Sequence, residues 1–372
     1  MKATILVGDV RTRLAEIPDG SVQTCITSPP YWGLRDYGQN DQIGLEQSPA
    51  DYVQSMVEVF REVKRVLRDD GTLWLNLGDS YSGSGKGPSG NLGKKHDERN
   101  MEKKHSAIVP EGLKPKDLVG IPWRVAFALQ DDGWYLRQDI IWAKPNPMPE
   151  SVTDRCTKSH EYIFLLTKSA KYYYDHIAIK EPSVTQDNSN RDRDASKLNN
   201  TPGRTKMGGL KTNNYEMRNK RDVWFIATKP FKGAHFAVMP EKLVEPSVLA
   251  GTSEFGCCSK CGTSYVRIIK KGEIEPRKTR DYLLNVIPGR DKPSRMQSVD
   301  MLAIPVETVG WEQLCNCLDS QPVPSMVLDL FTGSGTVAVV ALRHNRNFIG
   351  TELNPEYAEI AVNRIGIGAE IK

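Results

Sequence analysis

Residues 327–336 read Val327-Leu328-Asp329-Leu330-Phe331-Thr332-Gly333-Ser334-Gly335-Thr336, and this stretch decides the fold class. A short apolar run leads into a glycine-rich turn, and a helical pattern begins directly after the turn. Glycine lets the backbone approach a ligand without a Cβ clash, and such a turn presents amide N–H groups at a helix N-terminus. The stretch therefore predicts a strand, a ligand-binding turn and a helix of an α/β fold.

The sequence spacing between this motif and a later acidic residue also points to a nucleotide-type ligand. The next predicted strand ends at Thr351-Glu352, about 20 residues after Asp329, where nucleotide-binding α/β folds place an acid that binds both ribose hydroxyls. The third glycine of a dinucleotide fingerprint is missing, and the chain has no Gly-Lys-Ser/Thr phosphate loop. We therefore expect a nucleoside-type cofactor without a diphosphate. The alternative is a tight structural turn.

A second motif, Ser28-Pro29-Pro30-Tyr31-Trp32, follows the apolar segment Val22–Ile26. Two consecutive prolines cannot continue a strand or a helix, so the chain leaves the sheet here. Rigid carbonyl acceptors, the Ser28 hydroxyl and an aromatic face suit the exocyclic amine of a base. Accepting its N–H bonds frees the nitrogen lone pair for attack on a methyl sulfonium, once the base has been flipped out of a duplex. In isolation, the alternative is a structural Pro-Pro-aromatic turn.

Taken together, the segments Thr27–Tyr31 and Phe331-x-Gly333-x-Gly335 resemble the motifs of the N4-cytosine/N6-adenine amino-methyltransferases of DNA. Their order along the chain, with the catalytic motif first and the cofactor loop last, resembles the permuted β group of that family. The resemblance implies a Rossmann-like α/β methyltransferase fold with circularly permuted motif order and insertions. It also implies S-adenosyl-L-methionine as the cofactor and double-stranded DNA as the partner.

The resemblance further implies a role for each matching residue. Ser28 and the Pro29 carbonyl would accept hydrogen bonds from the target amine, Tyr31 would stack on the base, and Pro30 completes the catalytic motif. The implied cofactor-binding residues are Asp9, Asp329, Phe331, Gly333, Ser334, Gly335, Thr336 and Glu352. Within this set, Glu352 would hold the ribose and Asp9 the adenine edge.

The first position of the catalytic motif bears on the target base. Family members with Ser there mostly methylate cytosine N4, and members with Asp mostly methylate adenine N6, so Ser28 favours cytosine N4 with adenine N6 as the alternative. Methylation of cytosine C5 needs a cysteine nucleophile, usually after proline, and the chain has no Pro-Cys dipeptide.

Two other function classes stay open at this point. An RNA methyltransferase or a protein-glutamine methyltransferase is one, and the latter uses a related motif that usually begins with Asn. Ser28 and the basic segments described below argue against it. A non-catalytic DNA-binding module is the other, and the intact cofactor loop argues against it.

Alternating strand and helix patterns predict a mostly parallel sheet covered by helices. Residues 1–182 would form the catalytic half of the methyltransferase domain, with a loop insertion at 82–116. Residues 183–222 would form a basic target-recognition insertion. Residues 223–372 would form the cofactor-binding half, interrupted by a cysteine-bearing insertion at 255–318.

Positive charge is concentrated in two segments although the formal net charge is only +4. Residues 191–221 hold nine Lys and Arg against three acids, and residues 86–104 hold six against three. Both segments suit contact with a phosphate backbone. The alternative is a pair of solvated loops.

The chain has seven cysteines, of which four form two close pairs, Cys258-x-x-Cys261 and Cys315-x-Cys317. Tetrahedral Zn²⁺ takes four such ligands, and the first pair has the spacing of a zinc knuckle. The pattern favours a structural zinc ion over a set of reduced thiols.

The chain has no run of about 18 apolar residues and no signal-peptide pattern at its N-terminus. We therefore expect a cytoplasmic, bacterial or phage-encoded protein that does not enter a membrane. The sequence leaves open a homodimer and a cognate restriction enzyme.

Overall fold

The structure is a computed structural model that describes residues 1–34, 37–39, 41–83, 109–182, 217–228, 238–271 and 306–372. Each of the three predicted insertions lies partly outside the described residues. The parts that fall outside are 84–108, 183–216 and 272–305.

The described residues contain fifteen strands. In chain order they are β1 (Ala3–Val7), β2 (Val22–Thr27), β3 (Leu67–Leu77), β4 (Tyr135–Ala143), β5 (His160–Thr167), β6 (Glu181–Pro182), β7 (Met217–Arg218), β8 (Val223–Phe225), β9 (Cys257–Cys258), β10 (Val266–Lys271), β11 (Val306–Glu312), β12 (Pro322–Val323), β13 (Met326–Asp329), β14 (Asn347–Glu352) and β15 (Ala369–Ile371).

The same residues contain six helices. They are α1 (Val10–Leu14), α2 (Pro49–Val66), α3 (Ile121–Asp131), α4 (Glu241–Gly251), α5 (Thr336–Arg343) and α6 (Pro355–Ile365). Helix α2 begins at Pro49, where the Ser48 side chain accepts from the Asp51 amide and caps the helix. Helix α4 begins at Glu241, after an extended Pro240.

Nine strands form the main sheet, in the order β15-β1-β14-β13-β2-β3-β5-β4-β8. All neighbours pair in parallel except β5, which runs antiparallel to both β3 and β4. The prediction of a mostly parallel sheet is confirmed. Strands β13 and β14, which come late in the chain, lie between β1 and β2 and so complete the centre of the sheet.

Helices cover both faces of this sheet. Helix α2 packs against α1 and α3, and helix α5 packs against α4 and α6. Successive side chains of a strand point to opposite faces, and β3 shows this alternation. Leu73 and Leu75 join the core with Tyr52 of α2, whereas Trp74 lies beside Leu243 of α4. The result is the three-layer arrangement of an α/β domain.

The chain divides into two compact units. The first unit comprises 1–178, 221–266 and 313–372 and contains the nine-stranded sheet. The second unit comprises 179–220 and 267–312, and in its described part β6 pairs with β7 and β10 with β11. In the described parts of the chain, no helix is long and apolar enough to cross a membrane.

Candidate active site

A cavity of about 540 Å³ lies where β2 and β13 end. The two strands are parallel neighbours, with Thr24 beside Val327 and Cys25 beside Leu328, so the turns that follow them emerge side by side. The predicted site residues that line the cavity are Asp9, Ser28, Pro29, Pro30, Tyr31, Asp329, Phe331, Gly333, Ser334, Thr336 and Glu352. A volume of this size is typical of a small-molecule site.

Gly335 is the predicted cofactor-binding residue that does not line the cavity. It precedes α5 with a φ of 75°, a conformation that glycine adopts without strain. A Cβ at this position would lie 3.0 Å from the Cβ of Ala361 in α6. The structure thus places Gly335 where the glycine turn packs closely against a neighbouring helix.

Asp329 ends β13 and is almost completely buried. Its Oδ1 accepts from the Thr27 hydroxyl at 2.8 Å and from the Phe331 amide at 3.2 Å. Burial raises the pKa of this carboxyl to about 7, although both hydrogen bonds oppose the rise. Asp329 therefore couples the ends of β2 and β13 and changes its charge near neutral pH.

Glu352 ends β14 and holds the glycine turn. Its Oε2 accepts from the Gly333 amide at 2.7 Å, and its Oε1 accepts from the Asn354 amide at 3.0 Å. Burial raises the pKa of this carboxyl above its ordinary value. A carboxylate has about four lone-pair sites, so two remain for hydroxyl groups of a ligand.

Arg364 of α6 forms hydrogen bonds to the same turn, which the sequence did not predict. Its guanidinium donates to the Ser334 hydroxyl at 3.0 Å and to the Thr336 hydroxyl at 2.9 Å. It also pairs with Glu241 of α4 at 3.1 Å. The guanidinium of a residue in α6 thus binds both hydroxyls of the glycine turn.

Asp9 follows β1 and caps α1 by accepting from the Arg11 amide at 2.8 Å. Its carboxylate also accepts from the Arg11 guanidinium, with an Oδ1–Nε distance of 2.9 Å. The hydrogen bond from Arg11 lowers the pKa of the Asp9 carboxyl, outweighing the effect of burial. Asp9 is therefore charged at neutral pH where it lines the cavity.

The Pro-Pro turn is held through one of its two carbonyls. The Tyr52 hydroxyl of α2 donates to the Pro30 carbonyl at 2.9 Å. Trp32, which directly follows Tyr31, is buried and donates from its indole N–H to the Glu46 carbonyl at 2.9 Å. The Pro29 carbonyl receives no hydrogen bond from the described residues, so it remains available as an acceptor at the cavity.

The Ser28 hydroxyl donates to Oδ1 of Asn76, a buried residue of β3, at 3.2 Å. The Asn76 amide is oriented by its own Nδ2, which donates to the Tyr162 carbonyl at 3.0 Å. A serine hydroxyl has one donor and two acceptor sites. The Tyr31 hydroxyl, at 3.5 Å, is a second acceptor for the same proton. Because Ser28 acts as a donor in both contacts, its lone pairs are left to accept.

Glu161 and Lys144 complete this polar network, and the sequence did not single them out as a pair. The Tyr31 hydroxyl donates to Oε2 of Glu161 at 2.8 Å, and Lys144 forms an ion pair with the same carboxylate. The Lys144 ammonium also lies 4.3 Å from the ring centroid of Trp142. Burial, together with the charge of Glu161, raises the pKa of Tyr31 well above its ordinary value, so the phenol stays neutral.

The signals for these partners were weak. Asn76 is a polar residue in the apolar second half of β3, between Leu75 and Leu77, and Glu161 comes at the start of β5. Asn76 and Glu161 come together because β3 pairs antiparallel with β5, and no local sequence pattern indicates that pairing.

The predicted zinc ligands also come together, in a place that does not line the cavity. The sulfur atoms of Cys258, Cys261, Cys315 and Cys317 all lie within 4.8 Å of one another.

The arrangement fits chemistry on an amine next to a nucleoside-type cofactor. One wall carries a hydroxyl and a carbonyl that accept hydrogen bonds, beside a tyrosine ring. The other wall carries a glycine turn, a buried acid at the end of β13 and a second acid at the end of β14. Both walls line the same cavity, so two ligands, one bound to each wall, can be in van der Waals contact with each other.

Comparisons with known proteins agree with this geometry. A family model described as "DNA methylase" matches residues 22–258 and 318–363. The Type II methyltransferase M.Cfr9I of Citrobacter freundii is 42% identical over 366 residues, which cover 98% of this chain and 87% of that protein. The Type II methyltransferase M.XycI of Xanthomonas campestris pv. cyanopsidis is 41% identical over 368 residues, with the same shares covered.

A solved structure shows the same fold. The PvuII DNA methyltransferase (cytosine-N4-specific) superimposes with a TM-score of 0.54 at 16% sequence identity. The match covers 98% of this chain and 87% of that structure. The predicted Rossmann-like fold of an S-adenosyl-L-methionine-dependent methyltransferase is confirmed.

Gly78 gives the first testable prediction. A Cβ at this position would lie 2.4 Å from Cε2 of Tyr31, so Gly78→Ala must displace the ring or the backbone after β3. Overpacking of this kind costs about 1–3 kcal/mol, and urea denaturation should show a loss of unfolding free energy in that range. Gly310→Ala, where the new Cβ would meet only Cδ1 of Ile268 at 3.6 Å, is the matched control. Equal stability of both variants would contradict the packing described for Tyr31.

Proposed function

The chain belongs to the DNA methylase family and is an S-adenosyl-L-methionine-dependent DNA methyltransferase, and we propose that its target is N4 of cytosine in double-stranded DNA. The observation that supports an exocyclic amine as the target is the Ser28 hydroxyl at the cavity, which donates its proton within the protein, to Asn76. In the proposed complex, this neutral acceptor meets the exocyclic amine.

The amine of a base is a poor nucleophile because its lone pair is delocalised into the ring. In the proposed complex, Ser28 Oγ and the Pro29 carbonyl accept its two N–H bonds. Both acceptors are preorganised, one by Asn76 and the other by the stiff Pro-Pro turn. The nitrogen then becomes pyramidal, and its lone pair is free to attack.

Tyr31 is proposed as the stacking platform for the flipped base. Stacking on an aromatic side chain is worth about 1–3 kcal/mol per base. The hydrogen bond to Glu161 fixes the rotation of the ring, and Gly78 leaves room for it. Asn76, Glu161 and Lys144 are positioning residues in this scheme because they act through Ser28 and Tyr31.

The cofactor supplies an electrophilic methyl group on a sulfonium centre. The residues present fit it: Glu352 would bind the ribose, Asp9 would meet the adenine edge, and Asp329 would lie near the positive charge. Phe331, Gly333, Ser334 and Thr336 would line the pocket, with Gly335 supporting the turn through its packing on α6. Ser28 and the Pro29 carbonyl would hold the amine, whose nitrogen would accept the methyl group and lose one proton to solvent, with the demethylated cofactor as the leaving group.

Cytosine is preferred over adenine on two grounds. The resemblance links a serine at the first motif position mostly to N4 methylation of cytosine, and the residue here is Ser28. The PvuII enzyme, whose fold this chain shares, is named as cytosine-N4-specific. Adenine N6 is the alternative outcome of the test below.

The remaining parts of the proposal concern organisation. We assign 1–182 to the catalytic half, 183–222 to target recognition and 223–372 to the cofactor half. Positive charge in the basic segments suits the DNA backbone. A cytoplasmic location is proposed with DNA as the partner, and a homodimer and a cognate restriction enzyme stay predictions.

A direct assay tests the target base. The protein is incubated with methyl-labelled cofactor and unmethylated genomic DNA, and the DNA is digested to nucleosides for mass spectrometry. We expect N4-methylcytosine as the labelled nucleoside. Label in N6-methyladenine would overturn the cytosine assignment while keeping the family activity, and label only in RNA or protein would overturn both.

Ser28→Ala should remove one acceptor from the target amine. We expect a fall in kcat of about 100-fold, the scale for losing one preorganised polar group at a reacting centre, while equilibrium dialysis shows cofactor affinity within threefold of the wild type. Ser21→Ala, at a hydroxyl that donates to the Pro18 carbonyl at 2.7 Å and does not line the cavity, should retain full activity. Unchanged kcat in Ser28→Ala would contradict the acceptor role.

Glu161→Gln preserves shape but removes the charge that orients Tyr31 and pairs with Lys144. We expect kcat to fall about tenfold, the effect of weakening one charge-assisted hydrogen bond by about 1.4 kcal/mol, with a changed pH profile of kcat and an unchanged KM for the cofactor. Glu62→Gln, which breaks an exposed pair with Arg65, is the control. A loss confined to the cofactor KM would place Glu161 in cofactor binding instead.

Asp329 predicts a pH dependence of cofactor binding. Its carboxyl has a pKa of about 7 in the cofactor-free protein, and the anion attracts a positively charged cofactor. Affinity should rise as pH increases from about 6 to about 8, by up to roughly tenfold as the ionised fraction grows. Asp329→Asn should bind more weakly and lack this increment, as measured by calorimetry at several pH values.

The same group acts with the opposite sign on stability without cofactor. A raised pKa means that the folded protein retains a proton that the unfolded chain releases. Its contribution to stability is therefore full below the ordinary pKa of 3.8 and is lost as pH rises towards about 7. A difference between wild type and Asp329→Asn that does not vary over this window would contradict the burial of an ionisable group here.

A further inference from the structure

The cysteine cluster is the feature that the methyl-transfer site does not use. Its four sulfur atoms all lie within 4.8 Å of one another, although Cys261 and Cys315 are about fifty residues apart in the chain. In a tetrahedral zinc site with Zn–S bonds of about 2.3 Å, sulfur atoms lie about 3.8 Å apart. The observed spacing needs only a small contraction to reach that geometry.

The first pair lies on a tight turn. The Cys258 amide donates to the Thr263 carbonyl at 2.9 Å, and the Gly262 amide donates back to the Cys258 carbonyl at 2.8 Å. Gly262 has a φ of 72°, which glycine adopts without strain. The turn brings Cys261 back over Cys258, as a zinc knuckle requires.

Polar groups are directed at the sulfur atoms. The Lys260 amide lies 3.4 Å from the Cys258 sulfur, and the Gln313 side-chain amide lies 3.3 Å from the Cys315 sulfur. The Gln313 amide is oriented by its carbonyl oxygen, which accepts from the Ser320 hydroxyl at 2.8 Å. Donors around sulfur stabilise the thiolate form that binds a metal.

The cluster lies near the amino ends of the central strands, whereas the cavity lies at their carboxyl ends. Gln23, at the beginning of β2, donates to the Gly262 carbonyl at 3.1 Å, whereas Ser28 follows the end of the same strand and lines the cavity. The intervening strand has six residues, which correspond to about 17–20 Å. A metal bound here cannot contact the reacting groups.

Arg68 provides a second anchor. Its guanidinium donates to the Cys261 carbonyl and, at 3.1 Å, to the Thr263 hydroxyl. The strand β9, which contains Cys258, pairs antiparallel with β12. These two strands form a small sheet of their own, and the side chains of Gln23 and Arg68 fix the cluster to the main sheet.

The family match does not account for these residues. It covers 22–258 and 318–363, so Cys261, Cys315 and Cys317 lie outside it. The first unit of the chain is interrupted between residues 266 and 313, and the two cysteine pairs flank that interruption. The cluster thus joins the two points where the chain leaves the catalytic unit and returns to it.

We propose that Cys258, Cys261, Cys315 and Cys317 bind one structural Zn²⁺ ion that ties together the two ends of the interrupting segment. Four protein thiolates close the coordination shell and leave no position for water or substrate, which is typical of a structural site. Each thiol loses its proton to solvent when it binds the metal.

Metal analysis of the full-length chain, purified without a histidine tag and under reducing conditions, tests the proposal. We expect about one zinc per chain, released in step with the titration of four thiols by a mercurial reagent. Less than half an equivalent of zinc, iron in its place, or a disulfide detected by intact mass would overturn it.

Variants test the ligand assignment. Cys261→Ser and Cys317→Ser should each lose zinc and melt at a temperature lower by about 5 °C or more. Cys156→Ser, at an exposed thiol outside the cluster, and Cys257→Ser, at a buried neighbour of Cys258, should retain one zinc. Loss of zinc from Cys257→Ser would contradict the proposed ligand set.

Cobalt substitution of the wild type keeps the test independent of variants that fail to fold. Co²⁺ bound to the chelated protein should give the visible and thiolate charge-transfer absorption of a tetrahedral tetrathiolate site. The Co²⁺ form should methylate DNA at a rate within twofold of the Zn²⁺ form, because the metal is remote from the cavity. A rate that changes more than tenfold with the metal would assign the ion a catalytic role and overturn the structural one.

Discussion

The parallel pairing of β2 with β13 is the constraint on which the site depends. Strands separated by about three hundred residues in the chain lie side by side, and the Thr27 hydroxyl donates across them to the Asp329 carboxylate. Since both strands run in the same direction, the Pro-Pro turn and the glycine turn emerge at one edge of the sheet. A methyl donor and a methyl acceptor can therefore meet in a single cavity.

Around that pairing, burial and charge set the chemistry of individual groups. Asp329 is held in an apolar surrounding that raises its pKa towards neutrality, whereas the Arg11 guanidinium keeps Asp9 ionised. On the acceptor side, Glu161 is compensated by Lys144, so its carboxylate can orient a neutral tyrosine. Acids with similar ordinary pKa values thus acquire different tasks from their surroundings alone.

The two ends of the parallel strands β2 and β13 have separate functions. The cavity lies at the carboxyl ends of β2 and β13, and the cysteine cluster is attached at their amino ends through the side chain of Gln23. The Gln23 Nε2 donates to the Gly262 carbonyl, and its Oε1 accepts from the Met326 amide. The same strands therefore position the reacting groups at one end and anchor an added segment at the other. This separation explains how the catalytic unit can accommodate a long interruption between residues 266 and 313.

The sequence by itself determined the fold class, the strand–turn–helix around the glycine turn and the motif order, because these depend on local periodicity and on the backbone limits of glycine and proline. It also indicated eleven of the residues that line the cavity and the two cysteine pairs. Only the tertiary structure decided that Asn76 and Glu161 orient Ser28 and Tyr31. It likewise decided that Gly335 packs on α6. These contacts join residues far apart in the chain, and their partners are fixed by strand pairing and layer packing, which no local pattern encodes.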